Sequence, residues 1–468
     1  MDHIPVIGLL VSALLEDEWN KGGDTRPTAE ASITRIVERL SKLGRVVRTK
    51  LVENITDAGI ARDAFIDQRV DVVLVMQLSY AQGVIALRAL RGITVPLIVW
   101  NTQFMESIPH NAAWETLLVN SGVTGVTEIT SALVRTGQKF SFINGAFDSP
   151  EPWAELASLV DAASAKRQLD GARIGMIGHP YQWMSDLMVD PLEVMDRFGI
   201  ILEYIEDGEL IAAVERQGGS AESASYLDSL HSRVAVRGMD KTAMRRSAEY
   251  ALAVAGIVGQ RGLSALSFYE QGMLLHPSVG LSGALAMCEL FSRGVPCTSE
   301  ADLLTLVLML AMKHLAGEST FLEHYGMDFN KNSLLMAHDS FGNWELADKS
   351  EGIILEPTIF YQGKAGSGAA ARFRYRPGEV TLGSLTIGPP GMAERFRLIV
   401  SEGESQPFEA RPIPAPQMEF LPDLKDVNGF YKSYCRLGGG HHMAGCYGRV
   451  GTVLGALADF WGIDFHLL

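Results

Sequence analysis

The sequence predicts an α/β protein in which two strand–helix alternating domains are followed by a β-rich region. Three observations carry this. Short apolar runs alternate with segments of helical period through roughly the first 290 residues. The alternation is interrupted once, at the loop-like DSPEPW, and restarts at Arg173. From about Gly352 the chain turns to short β-type segments punctuated by Gly and Pro. A chain of 468 residues exceeds one ordinary core, so two or three domains are expected. The boundaries read from the pattern are 1–168, 169–350 and 351–468.

In the first domain, Val6 to Ser12, Val46 to Leu51, Val70 to Gln77 and Pro96 to Trp100 read as strands. They are short and apolar, as strands buried on both faces are. Thr28 to Leu43, Ile60 to Gln68 and Ile85 to Leu90 have helical period. Trp153 to Ala165 reads as a helix leading to the boundary. The second domain is expected to hold strands Arg173–Ile177, Ile201–Ile205 and Ala265–Phe268. Its helices are expected around Ala212, at Met239 to Ala255 and at Ser282 to Ser292. In the third, GIILEPTIFYQ, ARFRYRP, EVTLGSLTIGP and FRLIVSEGES read as antiparallel sheet or barrel, and GRVGTVLGALADFWGI as a closing helix.

Composition narrows the function. Hydrophobic residues make up 47% and charged residues 20%, which describes a packed globular protein. The formal net charge of −15 argues against nucleic acid and anionic membrane as partners. Four cysteines without CxxC spacing suggest neither a zinc knuckle nor a disulfide framework, and point to the reducing cytoplasm. The N-terminal apolar run is read as a buried strand and not a signal peptide. The run Leu303 to Met312 is too short to span a bilayer. GxGxxG after the first strand, Walker A and GxSxG motifs are missing from the sequence. GKAGSG, 363–368, lies in β-rich context and is not read as a phosphate loop.

The stretch from Gly294 to Phe341 carries the candidate chemistry. Glu300 follows two good helix caps, Thr298 and Ser299. Glu323 follows an apolar run, and His338 ends LLMAH. His441 and His442 follow LGGG, far away in sequence. Each has a plain structural alternative. Glu300 fits the first turn of a helix, with Ser299 and Asp302 resembling a capping box. Glu323 fits a solvated loop, His338 a hydrogen-bonded core histidine, and the tandem histidines a surface turn. Together, carboxylates and imidazoles without cysteine form the donor set of an O/N-preferring divalent ion such as Mn²⁺. Such a site suits proton or hydride movement between adjacent sugar carbons, though hydrolysis and aldol chemistry use similar ligands. Two segments that follow strands, NTQF (Asn101 to Phe104) and GHPYQWMSD (Gly178 to Asp186), offer amides, a His and aromatics for a hydroxylated ligand. Tyr181 and Trp183 equally suit interdomain packing.

These residues resemble the L-arabinose isomerase and L-fucose isomerase superfamily. WNTQF with LLVNSG is similar to that family's HTQF with a downstream NLNQ. GHPYQWMSDLMVDPLEVMDRFGI is similar to the segment that opens its middle domain. CTSEADLLTLVL with STFLEHY, and MAHDSF with GGGHHMAG, resemble its metal-carboxylate and metal-histidine segments. The resemblance implies a fucose isomerase-like fold: two Rossmann-like doubly wound domains followed by a C-terminal antiparallel β-barrel. It implies Glu300, Glu323, His338 and His442 as metal ligands, with Glu300 and Glu323 also the acid/base pair. The second His of the family's pair is the ligand, which selects His442 over His441. Gln103, Ser121, Thr124, Tyr181 and His441 fall at or near substrate-binding positions. The implied activity is metal-dependent aldose–ketose isomerisation of a pentose or deoxyhexose, in a trimer or hexamer with sites completed between subunits. One departure matters. LVNSGVTG stands where arabinose isomerases have NLNQTAHG, so Ser121 and Thr124 replace a Gln and a His that contact substrate. That keeps two rivals open: a lyase or isomerase of a sugar acid on the same scaffold, and a non-catalytic sugar-binding or regulatory protein.

Overall fold

The computed structural model describes residues 3–13, 26–118, 120–276, 279–359, 367–392, 394–424 and 426–468. Most of GKAGSG therefore lies outside the described residues. The chain forms two compact units, Met1–Arg167 and Gln168–Leu468.

The first unit is built on five parallel strands, β1 (Val6–Ser12), β2 (Arg45–Arg48), β3 (Val72–Gln77), β4 (Leu97–Asn101) and β5 (Ser141–Asn144). Their order is β2-β1-β3-β4-β5. Every residue of β3 is buried, and all but Val6 in β1. This two-sided burial is why they read as continuous apolar runs. The helix Ile55–Asp67 starts where Asn54 accepts hydrogen bonds from the backbone N–H groups of Thr56 and Asp57. The segment 116–135 is long and apolar enough to cross a membrane by composition. Its residues Val126, Ile129 and Leu133 instead lie in the core cluster with Phe65, Val73 and Val99, so one face of it packs inward.

The second unit holds a four-stranded parallel sheet and a larger, mainly antiparallel one. The parallel sheet has order β10-β9-β6-β7, from β6 (Arg173–Ile177), β7 (Ile201–Ile205), β9 (Ala265–Phe268) and β10 (Cys297–Ser299). The short β8 (Ala235–Val236) pairs instead with β13 (Ile354–Pro357), at the edge of the other sheet. That sheet also contains β11 (Thr320–Asp328), β12 (Ser333–Ala337), β14 (Ala369–Arg374), β15 (Gly378–Ile387), β16 (Phe396–Gln406), β17 (Pro416–Pro422), β18 (His442–Tyr447) and β19 (Asp464–Leu467). Pairing of β16 with β17 closes β15, β16, β17, β12, β11 and β18 into an antiparallel barrel.

The antiparallel sheet thus begins at Thr320 and not near residue 351. The hairpin β11–β12, expected in the central domain, pairs with β18 and β17 far downstream. Local pattern holds no trace of such partners. In antiparallel strands directly opposed residues share a face and alternate residues change face. Leu322, Met336, Leu382, Met418 and Met443 therefore fill the barrel together. Glu323, Ala337 and His442 share the outer face.

The helix Leu303–Ala316 packs against β18 and β15. All residues from Leu303 to Met312 are buried, and burying each large apolar side chain contributes about 1.5–3 kcal/mol. The helix sits flat on β15 at Gly383, where an added Cβ would come within 3.0 Å of Leu308 and 3.1 Å of Met312.

Candidate functional site

The site forms where the carboxyl edge of the parallel sheet meets the outer face of the barrel, within the second unit. β10 ends at Ser299, and the chain then turns through Glu300 and Ala301, both in the left-handed region at φ 60° and 57°. Three hydrogen bonds hold this turn. Ala301 N–H donates to the Phe268 carbonyl (3.3 Å), Tyr181 N–H to the Glu300 carbonyl (3.0 Å), and the Thr298 hydroxyl to the Asp302 carbonyl (2.9 Å). Asp302 then caps the helix by accepting from Thr305 N–H. This corrects the expectation that Glu300 lies in the first helical turn. The helix starts at Leu303, and the acid stands before it in a strained turn.

The structural alternative for Glu323, a solvated loop, does not hold: it lies within β11, paired with His442 on one side and Ala337 on the other. His338 follows directly after β12. Phe321, two residues before Glu323, sets its ring 4.7 Å from that of His338 and 4.4 Å from that of His442. It forms an apolar backing that fixes both imidazoles.

The hydrogen bonds of the two histidines fix which nitrogen carries the proton. His442 Nδ1 lies 2.9 Å from Asp302 Oδ2, and a carboxylate only accepts, so Nδ1 donates. This leaves the Nε2 lone pair, 3.5 Å from Glu300 Oε2. His338 Nδ1 donates to the Asp339 carbonyl at 3.1 Å, so its Nε2 accepts from the Ser299 hydroxyl, also at 3.1 Å. Both buried rings thus turn a ligand-competent nitrogen toward the site.

Burial, with the neighbouring His442, pushes the His338 pKa down to about 3, so the ring is neutral, its ligand form. Burial pushes Glu300 up, but His441, His442 and His338 outweigh it and bring the carboxyl down to about 2. Burial also pushes Glu323 up, and there His442 and His441 only partly offset it. Two carboxylates of one site are thus pushed in opposite directions.

Glu300, His441 and His442 can each place one ligand atom within 4.8 Å of the others, and so can Glu323, His338 and His442. His442 belongs to both groups. Oxygen and imidazole donors in two overlapping sets, with no thiolate, fit a divalent ion of the Mn²⁺ type. Residues that the sequence reading gave no such role support these groups. Asp302 orients His442 as well as capping a helix. Asp186, at the end of the loop after β6, accepts from His441 Nδ1–H at 2.6 Å. No spacing rule links residues 255 positions apart.

The remaining expected residues fall into two sets. Tyr181 belongs to the site through its backbone bond to Glu300, and its ring lies 6.1 Å from that of Tyr269. Trp183 is 78% exposed. Gln103, Ser121 and Thr124 belong to the first unit, and the bonds described for them lie within it. Gln103 Nε2 donates to the Met105 carbonyl, the Ser121 hydroxyl donates to the Leu118 carbonyl and accepts from Tyr80 N–H, and Thr124 N–H donates to the Ser121 carbonyl. A cavity of about 510 Å³, lined by Gly326, Asp328, Ser333, Leu335, Arg411 and Glu419 among others, lies farther along the sheet face that carries Glu323.

The chain is similar to known sugar isomerases. Residues 318–464 match the family of the L-arabinose isomerase C-terminal domain. An L-arabinose isomerase of Aeromonas hydrophila is 23% identical over 429 residues, covering 88% of this chain and 83% of that protein. A sulfoquinovose isomerase of Alkalicoccus urumqiensis is 23% identical over 345 residues, 72% of each chain. Another, of Priestia aryabhattai, is 21% identical over 401 residues, 84% of this chain and 81% of that one. Among solved structures, an ABC transporter solute binding protein of Burkholderia multivorans aligns with 66% of this chain and 93% of its own at 12% identity. Its TM-score of 0.17 carries no weight for the fold.

Proposed function

We propose that this distant member of the L-arabinose isomerase family is a metal-dependent aldose–ketose isomerase acting on a pentose or deoxyhexose. The observation that carries the reading is the pair of donor groups hinged at His442, with His442 and His338 both turning Nε2 to the site. Glu300, Glu323, His338 and His442 would hold the metal, Mn²⁺ by the chemistry of the donors. When bound, it supplies a Lewis acid that polarises the sugar carbonyl.

The chain's own residues do the rest. Glu300, held low in pKa, stays ionised beside the imidazoles. Glu323, pushed up by burial, is the carboxyl suited to take a proton from one sugar carbon and return it to the next through an enediol. A hydride shift between the same carbons would leave Glu323 with metal binding alone. His441 and the Tyr181 loop border the site where sugar hydroxyls would lie, and the cavity along β11 and β12 leaves room for the remaining carbons. Gln103, Ser121 and Thr124 would add to recognition in a homo-oligomer, a trimer or hexamer with sites completed between subunits. Cytoplasmic residence belongs to the same reading, since all four cysteines are free.

The test is a panel of aldopentoses and 6-deoxyaldohexoses incubated with protein and Mn²⁺, with ketose formation read directly. Conversion of at least one sugar, abolished by EDTA, is expected. Failure to bind stoichiometric Mn²⁺ would sink the enzyme reading and favour a sugar-binding module. Turnover in deuterated water separates the two routes, because the enediol route places deuterium on the reacting carbon and the hydride shift does not.

A further inference from the structure

The tandem histidines are held by two different aspartates. Asp302 takes His442 Nδ1–H at 2.9 Å. Asp186 takes His441 twice on one oxygen, from the backbone N–H at 2.9 Å and from Nδ1–H at 2.6 Å. With both Nδ1 atoms engaged, both rings direct Nε2 to one atom, Glu300 Oε2, at 3.5 Å from His442 and 3.8 Å from His441.

The backbone before the pair is already fixed without Asp186. Gly440 N–H donates to the Ser384 hydroxyl at 3.0 Å, and its carbonyl accepts from the Tyr434 hydroxyl at 2.5 Å. A Cβ at Gly439 would strike the Tyr434 ring at 2.3 Å, so the chain passes there at closest approach. What the main chain leaves undetermined is the rotation of the His441 ring, and Asp186 determines it. The same loop also holds the other partner, since Tyr181 N–H binds the Glu300 carbonyl at 3.0 Å. One short loop therefore grips the main chain of Glu300 and the ring of His441.

Stability does not account for this arrangement. The Asp186 and His441 side chains are 35% and 29% exposed, and ion pairs in such positions contribute little. We propose that Asp186 is a positioning residue of the site: through Nδ1–H it holds the His441 ring in the orientation that sets Nε2 at the Glu300 carboxylate. This rests on the reading of Glu300 as a working carboxylate of an isomerase site.

The experiment compares wild type, Asp186→Ala and Asp186→Asn. Ring-nitrogen NMR of histidine-labelled, metal-free protein reads the hydrogen bond at His441 Nδ1–H, and kcat is measured on the best aldose of the panel with saturating Mn²⁺. In Asp186→Ala, the Nδ1–H signal is expected to lose its hydrogen-bonded shift, and kcat to fall about 10–100-fold, the usual effect of removing such an orienting partner. The thermal midpoint should move by no more than a few degrees, in line with a weak ion pair. Asp186→Asn keeps an acceptor oxygen and should restore the hydrogen bond and most of the lost rate. A His441 Nδ1–H signal unchanged in Asp186→Ala, or a kcat within about twofold of wild type, overturns the proposal. A wild type that binds no Mn²⁺ and converts no sugar is a failure of the isomerase reading, and the metal-free NMR comparison still decides whether Asp186 sets the ring.

Discussion

Asp302 divides its two carboxylate oxygens between two partners: Oδ1 caps the helix at Thr305 N–H, and Oδ2 holds His442 Nδ1–H. The two roles respond differently to Asp302→Asn. Asparagine caps a helix nearly as well as aspartate, so stability should change by less than about 1 kcal/mol. Its amide nitrogen, placed where Oδ2 was, cannot accept from Nδ1–H. The His442 ring is then driven to the opposite tautomer, with a proton on the nitrogen meant for metal. Mn²⁺ affinity by calorimetry should fall about 10–100-fold. Unchanged affinity would mean that Oδ2 does not set the ring. His324 gives a pH dependence of definite sign. Its ring lies inside the barrel against Tyr431 and Tyr434, with neither nitrogen hydrogen-bonded among the described residues. Burial, then the neighbouring His441 and His442, pushes its pKa down to about 4. The unfolded chain, near 6.5, binds the proton more readily, so the stability is full above about pH 6.5 and is lost as the pH falls toward 4. In metal-free protein, His324→Phe should therefore lose less stability between pH 7 and 4.5 than wild type does, by roughly 2 kcal/mol in urea unfolding. His338 titrates in the same window, so the acid sensitivity is reduced and not abolished. Equal losses in the two proteins would remove His324 as its source.

The turn from Ser299 to Asp302 is the element on which the site depends. Left-handed backbone costs about 1–2 kcal/mol per non-glycine residue, and here two come in succession. The turn persists because two hydrogen bonds from separate segments, to Phe268 and from Tyr181, and one within it, from Thr298, fix it, as strained backbone at functional sites requires. Ala301 is fully buried there. Ala301→Val adds β-branching at positive φ and should destabilise the protein by about 2–3 kcal/mol. Ala301→Gly should be close to neutral, because relief of strain offsets a lost buried methyl, about 0.8 kcal/mol, and added backbone freedom. Denaturant unfolding of both variants checks this, and an equal cost in each would mean that the turn stores no strain. The same element shows where sequence reading reached its limit. TSEAD offers three capping residue types, Thr, Ser and Asp, so from sequence Glu300 reads as the first turn of a helix. Only the fold reveals that the Thr298 hydroxyl is spent on the Asp302 carbonyl, which leaves Asp302 as the cap. The apolar strands β1, β3 and β4 were legible because burial on both faces leaves no polar positions. The three-residue β10 and the four-residue β5 are too short to carry a period. Glu323 looked like a loop acid because the register of β11 shifts between His324 and Gly326, which breaks the alternation just after it.

At the scale of the molecule, the donors come from four segments of one unit: the turn at Glu300, the middle of β11, the end of β12 and the start of β18. Their types and order were legible in the sequence. Their grouping was not, because it depends on β18 pairing with β11 across more than a hundred residues. An ion held by such separated segments exists only with the folded unit, so it stabilises the native state by mass action, about 2.7 kcal/mol at a hundred times its Kd. Residues 1–167 supply none of these donors. Mn²⁺ should therefore slow amide hydrogen exchange in peptides covering 298–302, 320–324, 336–339 and 440–444. The core strands of the first unit should be unchanged. The two donor groups also rank the variants. His442 serves both, so His442→Gln should remove the protection in all four segments, whereas His338→Gln breaks one group and should leave residual protection at the Glu300 turn. Protection that survived His442→Gln, or that was lost equally from both variants, would mean that the two groups do not share a single ion through His442.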